Sequence, residues 1–450
     1  MRKKNNLFAV HLNEFNFSYL KKGAFKYNKK NIIELLKLQK VSTYTKDKFQ
    51  NKNLDPWVQS VSINTGKTSS KHKILNLGDN LDARIVQIWD ILSKKEFTCS
   101  IWGTMNSKLN YNKNIKLYFP DPWNFKDQIY PKALNKLFVL PKYFSKNYTD
   151  VSILKIFLYG AIFFISSIRN GCSIFYLKNI FLFTKLLLTK GVKNYLLFFI
   201  FDLISLHIFN EKIKKNRTNF SLIFLNSLAH FQHNNWDEKE NEKYYFLFAD
   251  LISEYILKIS QNYNSILIYN GFSQDKIKTE FLLRPINPVK FLKKLNINFK
   301  TVEQDMTNGA MIFFKNKKDF LKGKAIISNF KVFGMKAFKI TREHQNSFFY
   351  KIQIKSFYTI DSFSISKINA SNVKRFVNYY EKKKFSFTKS LKLINEEFFF
   401  KNVNFIKCTG KHNTTGIILK KNFNIKPQIK IENHKLFNMI LGHFSLAKKK

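Results

Sequence analysis

The feature that most constrains the fold is the alternation of strand-like and helix-like segments through the opening third of the chain. Leu7 to Leu12 reads as a strand, Lys30 to Leu38 as a helix, and Val58 to Asn64 as a strand or buried segment. Leu81 to Leu92 follows as a helix, with Asp79 read as its cap, and Thr98 to Trp102 as a strand. Such alternation predicts an α/β fold with a mostly parallel central sheet flanked by helices. Strand signals return at Phe220 to Leu225 and Ile266 to Tyr269, with a helix from about Tyr244 to Ile259 between them.

Between these two halves the chain turns apolar. From Val151 to Phe209 it is rich in Phe, Leu and Ile, yet its longest uncharged run, Ile156 to Ile168, is only 13 residues. A bilayer span needs about 20 apolar residues, so the segment is expected to form packed or interfacial helices. The predicted organisation is 1–150 as the first half of an α/β core, 151–215 as an apolar helical insertion and 216–305 as the second half of the core. A small α+β cap subdomain is expected over 306–405, and 406–450 returns to the core.

Charge is the next constraint. There are 77 Lys and Arg against 30 Asp and Glu, a net +47, which on its own would suggest nucleic acid or an anionic membrane. Only seven of the basic residues are Arg, and Lys is accompanied by 49 Phe and an excess of Asn and Ile, the amino acids of A/T-rich codons. Bidentate reading of bases and phosphates depends on guanidinium geometry, so this balance argues against a nucleic-acid binder and reports genome composition. What remains of the charge argument is a preference for anionic partners: a small-molecule, glycan or lipid-linked substrate, with peripheral membrane contact as a further expectation.

Cys99, Cys172 and Cys408 are far apart, which supports neither a zinc ribbon nor a disulfide framework. The start, Met1-Arg2-Lys3-Lys4, resembles the head of a signal peptide, but the apolar run Leu7-Phe8-Ala9-Val10 is too short for one. The expected location is therefore cytoplasmic, with the membrane periphery as an extension of it.

A series of short motifs carries the functional signal. Thr65-Gly66 with His72 downstream resembles part of the T-G-x-x-P-x-x-H-G signature of the alkaline phosphatase superfamily, in particular its nucleotide pyrophosphatase/phosphodiesterase and sulfatase-like branches. Asn13-Glu14 ends the first strand where that family carries a metal-binding Asp. Asn226-Ser227-Leu228-Ala229-His230 has the spacing of its Asp-x-x-x-His pair, Tyr269-Asn270-Gly271 stands for its Asp-His-Gly, and His412-Asn413-Thr414-Thr415-Gly416 for its last metal ligand. The resemblance implies a phosphate- or sulfate-ester hydrolase or transferase, phosphodiesterase-like, with two divalent metals and a Thr or Ser nucleophile.

Several departures change that picture. Asn13, Asn226 and Asn270 stand where the family has carboxylates, and the nucleophile position falls at Pro56. Neutral amides leave too little anionic charge for two dications, so the standard two-metal mechanism does not transfer. A single-metal site is expected instead, for Zn or Mn, with His230, His233 and His412 as metal ligands and Asp55 and Glu14 as catalytic carboxylates. Trp57, Gln59, Asp121, Trp123 and Gln274, with Asn13, Asn226 and Asn270, are the candidate substrate-binding residues, since rings beside amides suit sugar and nucleotide faces. The other classes kept open are a catalytically silent anion- or glycan-binding protein on the same fold and a membrane-peripheral lipid-binding protein. No Walker loop, Gly-x-Gly-x-x-Gly or Gly-x-Ser-x-Gly is present.

Overall fold

A computed structural model describes residues 5–46, 54–124, 128–147, 151–191, 193–304, 308–332, 335–353, 398–399, 401–425 and 430–446. The chain divides into two compact units, Met1–Ile277 with Gly410–Lys450, and Lys278–Thr409.

The first unit is built on an eight-stranded sheet. Its strands are β1 (Leu7–Leu12), β2 (Gln39–Tyr44), β3 (Cys99–Trp102), β4 (Ile115–Phe119), β5 (Phe220–Leu225) and β6 (Ser265–Tyr269), completed by β15 (Thr415–Lys421) and β16 (Ile431–Glu432). The order is β16-β2-β15-β6-β1-β5-β3-β4, and β15, antiparallel to both its neighbours, is the one reversed strand. The fold class is therefore the expected one. β1, β5 and β6 are buried along their whole length, as a parallel sheet covered on both faces requires. One face carries a core with Phe8, Val10, Leu12, Phe209, Phe246 and Ile252, the other a core with Leu7, Ala9, Leu267, Ile418 and Ile440.

The helices of this unit are α1 (Phe17–Lys26), α2 (Lys30–Leu36), α3 (Pro56–Thr65), α4 (Ser69–His72), α5 (Ile88–Lys94), α6 (Asn135–Asn147), α7 (Ile153–Ser167), α8 (Ser173–Lys190), α9 (Asn194–Lys215), α10 (Ser227–Asn234), α11 (Lys239–Ser260) and, near the end of the chain, α14 (Leu436–His443). The segment read as a strand at Val58 to Asn64 is helix α3. Pro56 occupies its first turn, and Gly66, at φ 66, closes it in the left-handed region. All ten of its residues are buried, so no polar stripe marks the helical period. The helix expected from Leu81 starts later, at Ile88, because the start signal is the reciprocal capping of Gln87 and Asp90. Asp79 instead accepts the backbone N–H groups of Leu75 and Asn76, at 2.9 and 2.7 Å, and holds a turn that precedes it.

The chain leaves this unit along β7 (Ser273–Pro285) and returns along β14 (Val403–Asn413), two strands that pair as a ribbon. The second unit contains a four-stranded antiparallel sheet of β8 (Thr301–Gln304), β9 (Gly309–Phe313), β12 (Phe338–His344) and β13 (Ser347–Ile352), in the order β12-β13-β9-β8. It also holds the short hairpin β10 (Lys331–Val332) and β11 (Met335–Lys336), with helices α12 (Pro288–Lys294) and α13 (Lys317–Asn329). Its own core includes Phe291, Ile312, Phe320, Phe338 and Phe348. It begins before the 306–405 segment expected for a cap, and residues 354–397 of that segment lie outside the described residues.

Candidate metal centre

Parallel strands deliver their carboxyl ends to a common edge, and in such sheets the ends bracket the functional crevice. Here the edge is made by Asn13 and Glu14 after β1, Asn226 after β5 and Asn270 after β6. Glu14 adopts a left-handed backbone, φ 51, unusual for a residue with a side chain. Gln232 fixes this turn, its Nε2 donating to the Glu14 carbonyl at 3.0 Å while its Oε1 accepts from the Asn16 N–H and the Tyr245 hydroxyl, each at 3.1 Å.

The turn buries the Glu14 carboxylate among donors and imidazoles. Oε2 lies 3.0 Å from His233 Nε2 and 3.0 Å from His412 Nε2, and it accepts a short bond from Gln274 Nε2 at 2.5 Å. Oε1 accepts from Asn13 Nδ2 at 3.0 Å, and the same amide donates to Asn226 Oδ1 at 2.7 Å. The two imidazoles approach each other at 3.4 Å between Nε2 atoms. Burial would push the Glu14 pKa up, but the neighbouring charges and hydrogen bonds of His412 and His233 bring it well below the usual carboxylate range.

The backbone fixes the tautomer of His412. Its Nδ1 is hydrogen-bonded to the Leu54 carbonyl, which can only accept, so the ring proton sits on Nδ1 and the neutral ring turns a bare lone pair on Nε2 toward Glu14. Lone pairs of a carboxylate and an imidazole cannot converge at 3.0 Å unless a positive charge lies between them. A proton on Nε2 is one such charge. Burial would lower the His412 pKa, and the charge and hydrogen bond of Glu14, with the charge of Asp55 and the Leu54 carbonyl, raise it.

A metal ion is the other. Glu14, His233 and His412 each offer a ligand atom, all within 4.8 Å of one another. Ligands at about 2.1 Å from a tetrahedral ion are about 3.4 Å apart, close to the separations found here. The Leu54 carbonyl and Gln274 supply the outer hydrogen bonds that orient such ligands. The donor set therefore fits a single divalent ion, and at these strand ends the amides Asn13, Asn226 and Asn270 add no charge for a second.

The other candidate residues fall in several places. His230 is not among the three clustered ligands. Its ring stacks on Phe198 with centroids 3.7 Å apart and planes at 8°, and burial, with the charge of His233, pulls its pKa down to about 3. Asp55 precedes α3 as its N-cap residue and acts on His412 through its charge. Asn270 donates to the Phe15 carbonyl at 2.8 Å and accepts the Ile417 N–H at 2.7 Å, stitching the β1 turn to β15. Gln59 is buried and accepts from Asn433 at 3.2 Å. Trp57 is packed with Val58, Ile74 and Phe224, its indole N–H donating to the Leu75 carbonyl at 3.1 Å. Asp121, beyond β4, accepts the Trp123 N–H at 2.9 Å, and burial pushes its pKa up to about 7. Trp123 is half-buried.

None of the nearest hydroxyls is poised as a nucleophile. Thr65 donates to the Val61 carbonyl at 2.7 Å, and Ser60 is buried and accepts from Asn64 at 3.4 Å. His72 accepts the Ile74 N–H on Nδ1 at 3.1 Å, which places its proton on Nε2, 3.0 Å from Ser62 Oγ. A ring that donates to the serine cannot take the serine's proton.

Two residues absent from the candidate set organise the site. One is Gln232, at the pivot of the Glu14 turn. The other is Asp202 of α9, whose Oδ2 accepts the N–H groups of Asn226 and Ser227 at 3.0 and 2.8 Å and so anchors the start of α10, which carries His233. Asp202 is the sole carboxylate between 151 and 210, a signal that was available in the sequence.

No family model matches the chain, and no curated protein matches it in sequence. Among solved structures it overlaps murine ectonucleotide pyrophosphatase/phosphodiesterase 5 with a TM-score of 0.45 at 9% identity, over 99% of this chain and 96% of that one. The human counterpart gives 0.43 at 9% identity, and phosphonoacetate hydrolase from Sinorhizobium meliloti 1021 in complex with phosphonoformate gives 0.43 at 8%, each over the same shares. Overlaps this loose carry no argument about activity, and the functional reading rests on the residues of the site.

Proposed function

We propose that the protein is a single-metal hydrolase or transferase acting on phosphate or sulfate esters. The observation that carries the reading is the convergence of Glu14, His233 and His412 at the carboxyl edge of the sheet, with the His412 tautomer fixed for ligation. The order of motifs resembling the alkaline phosphatase superfamily supports it, as does the excess of Lys, which favours an anionic substrate. Two imidazoles and one carboxylate suit zinc better than manganese, which prefers oxygen ligands.

When bound, such an ion would polarise an ester oxygen and acidify water. The chain's own part is to hold it and to place groups around it. Glu14, fixed by Gln274 and Asn13, supplies the anionic charge; Leu54 holds the His412 ring; Asp55, whose charge acts on His412, is outside the three-ligand cluster and takes the role of a general base toward water. With the hydroxyls of α3 engaged internally, direct attack by water is the expected course.

The test is elemental analysis of the purified protein together with turnover of aryl phosphate, aryl phosphodiester and aryl sulfate. About one equivalent of zinc and measurable release of the aryl alcohol are expected. Metal-free protein that remains inactive when zinc is supplied would leave the same cleft as an anion-binding site and end the enzymatic reading.

A further inference from the structure

The segment from Ile153 to Lys190 leaves most of its large apolar side chains exposed, although Phe163, Phe175 and Leu186 are buried. In α7 the exposed apolar positions include Ile153, Leu154, Phe157, Leu158, Ala161, Phe164 and Ile165, which follow one another around one side of the helix, while the buried positions are Phe163, Ser166 and Ser167. Asn170, in the turn that follows, is also buried. A helix packed on a globular core turns most of its large apolar side chains inward. In α8 the stripe continues through Ile174, Leu177, Phe181 and Leu188, with Phe181 86% and Leu188 82% exposed. A run of this length is more apolar surface than a soluble monomer normally leaves to water.

Charge identifies what covers it. Between 151 and 201 there is no Asp or Glu, and Lys155, Arg169, Lys178, Lys185 and Lys193 are all exposed. Lys178 and Lys185 flank the α8 stripe at helical spacing from Ile174 and Phe181, where long side chains can bury their stems and keep their charges at a polar surface. Phenylalanines and leucines bordered by lysines, with no acidic residue among them, complement an anionic phospholipid surface.

We propose that α7 and α8 dock the protein onto an anionic bilayer, lying in its interface. Ile153–Lys190 is long and apolar enough to cross a membrane by length and composition. Two features argue that it lies flat instead. The longest uncharged run is 13 residues, short of the roughly 20 that a span requires. Arg169 also sits at the bend between the two helices, beside Gly171 with φ 105, where a spanning segment would carry it deep into hydrocarbon. This inference goes beyond the hydrolase reading and does not depend on it.

Flotation with vesicles of phosphatidylcholine alone, and of phosphatidylcholine with phosphatidylglycerol, tests the proposal on the full chain. Binding to the anionic vesicles is expected, weakened at least about tenfold in phosphatidylcholine or at high salt. Phe157→Asp combined with Phe181→Asp should abolish it, and Lys178→Glu with Lys185→Glu should weaken it about tenfold or more, all four positions being exposed in the folded chain. Three results would overturn the proposal: indifference to anionic vesicles, resistance to extraction by alkaline carbonate, or a dimer in solution that the same substitutions dissociate. Turnover of a soluble aryl phosphate by the Phe157→Asp, Phe181→Asp protein keeps this test separate from that of the active site.

Discussion

Glu14 and His412 meet at 3.0 Å with the histidine's other nitrogen committed to the Leu54 carbonyl, so the pair is complete only with a positive charge between them. Glu14→Gln keeps the shape of the side chain and removes the cluster's sole anion. It is expected to lower zinc affinity at least about 100-fold, more than the 10- to 100-fold typical of losing an outer partner. Isothermal titration of the metal-stripped protein measures this, and unchanged affinity would remove Glu14 from the ligand set.

Gly410 determines whether Gln274 can reach Glu14. A Cβ at Gly410 would lie 2.3 Å from Gln274 Oε1 and 2.8 Å from the Gln232 carbonyl oxygen, and both glutamines hold Glu14 in place. Gly410→Ala should cost about 1–3 kcal/mol of stability and weaken metal binding in the same protein. Adding Gln274→Ala should recover part of the stability, because the clashing oxygen is then gone. Strict additivity of the two changes in urea denaturation would show that they do not share this contact.

The candidate site was legible in sequence to the extent that it depends on strand ends. β1, β5 and β6 are predominantly apolar runs, interrupted at His11 and Ser221 and opened by Ser265, so the polar residues that stop them, Asn13, Glu14, Asn226 and Asn270, could be assigned to one edge. The choice between His230 and His233 could not be made the same way. Both lie on α10, three positions apart, and the ring that leaves the cluster is the one stacked on Phe198 of α9, a partner distant in sequence. α3 escaped for a different reason: with every face buried it carries no amphipathic period. The tautomer of His412 depends on a backbone carbonyl, which side-chain chemistry does not announce.

Asn270 distinguishes a scaffold residue from a substrate contact. Its amide makes two hydrogen bonds to backbone, one to each side of the site, in a position 2% exposed. Asn270→Ala leaves the Phe15 carbonyl and the Ile417 N–H without that partner and should cost about 2–4 kcal/mol. A shift in the midpoint of thermal unfolding is the expected readout. Full stability with a raised KM would assign Asn270 to the substrate instead.

Asp202 ties stability to pH through the helix that carries His233. Burial raises its pKa from the ordinary 3.8 to about 6, against the opposing hydrogen bonds from Ser227 and Asn226. The folded state therefore holds a proton on this carboxyl up to about pH 6, where the unfolded chain has already released it near 3.8. Between these values the folded state binds more protons, so stability falls as pH rises through the window and the loss is complete above about pH 6. A shift of this size corresponds to about 3 kcal/mol as an upper bound. Asp202→Asn keeps an oxygen facing the Asn226 and Ser227 N–H groups and has nothing to titrate. Relative to the variant, the native protein should lose stability between pH 4 and 7, seen as diverging urea midpoints. Parallel midpoints across that range would mean that Asp202 ionises normally and that the start of α10 is held by a full charge at every pH tested.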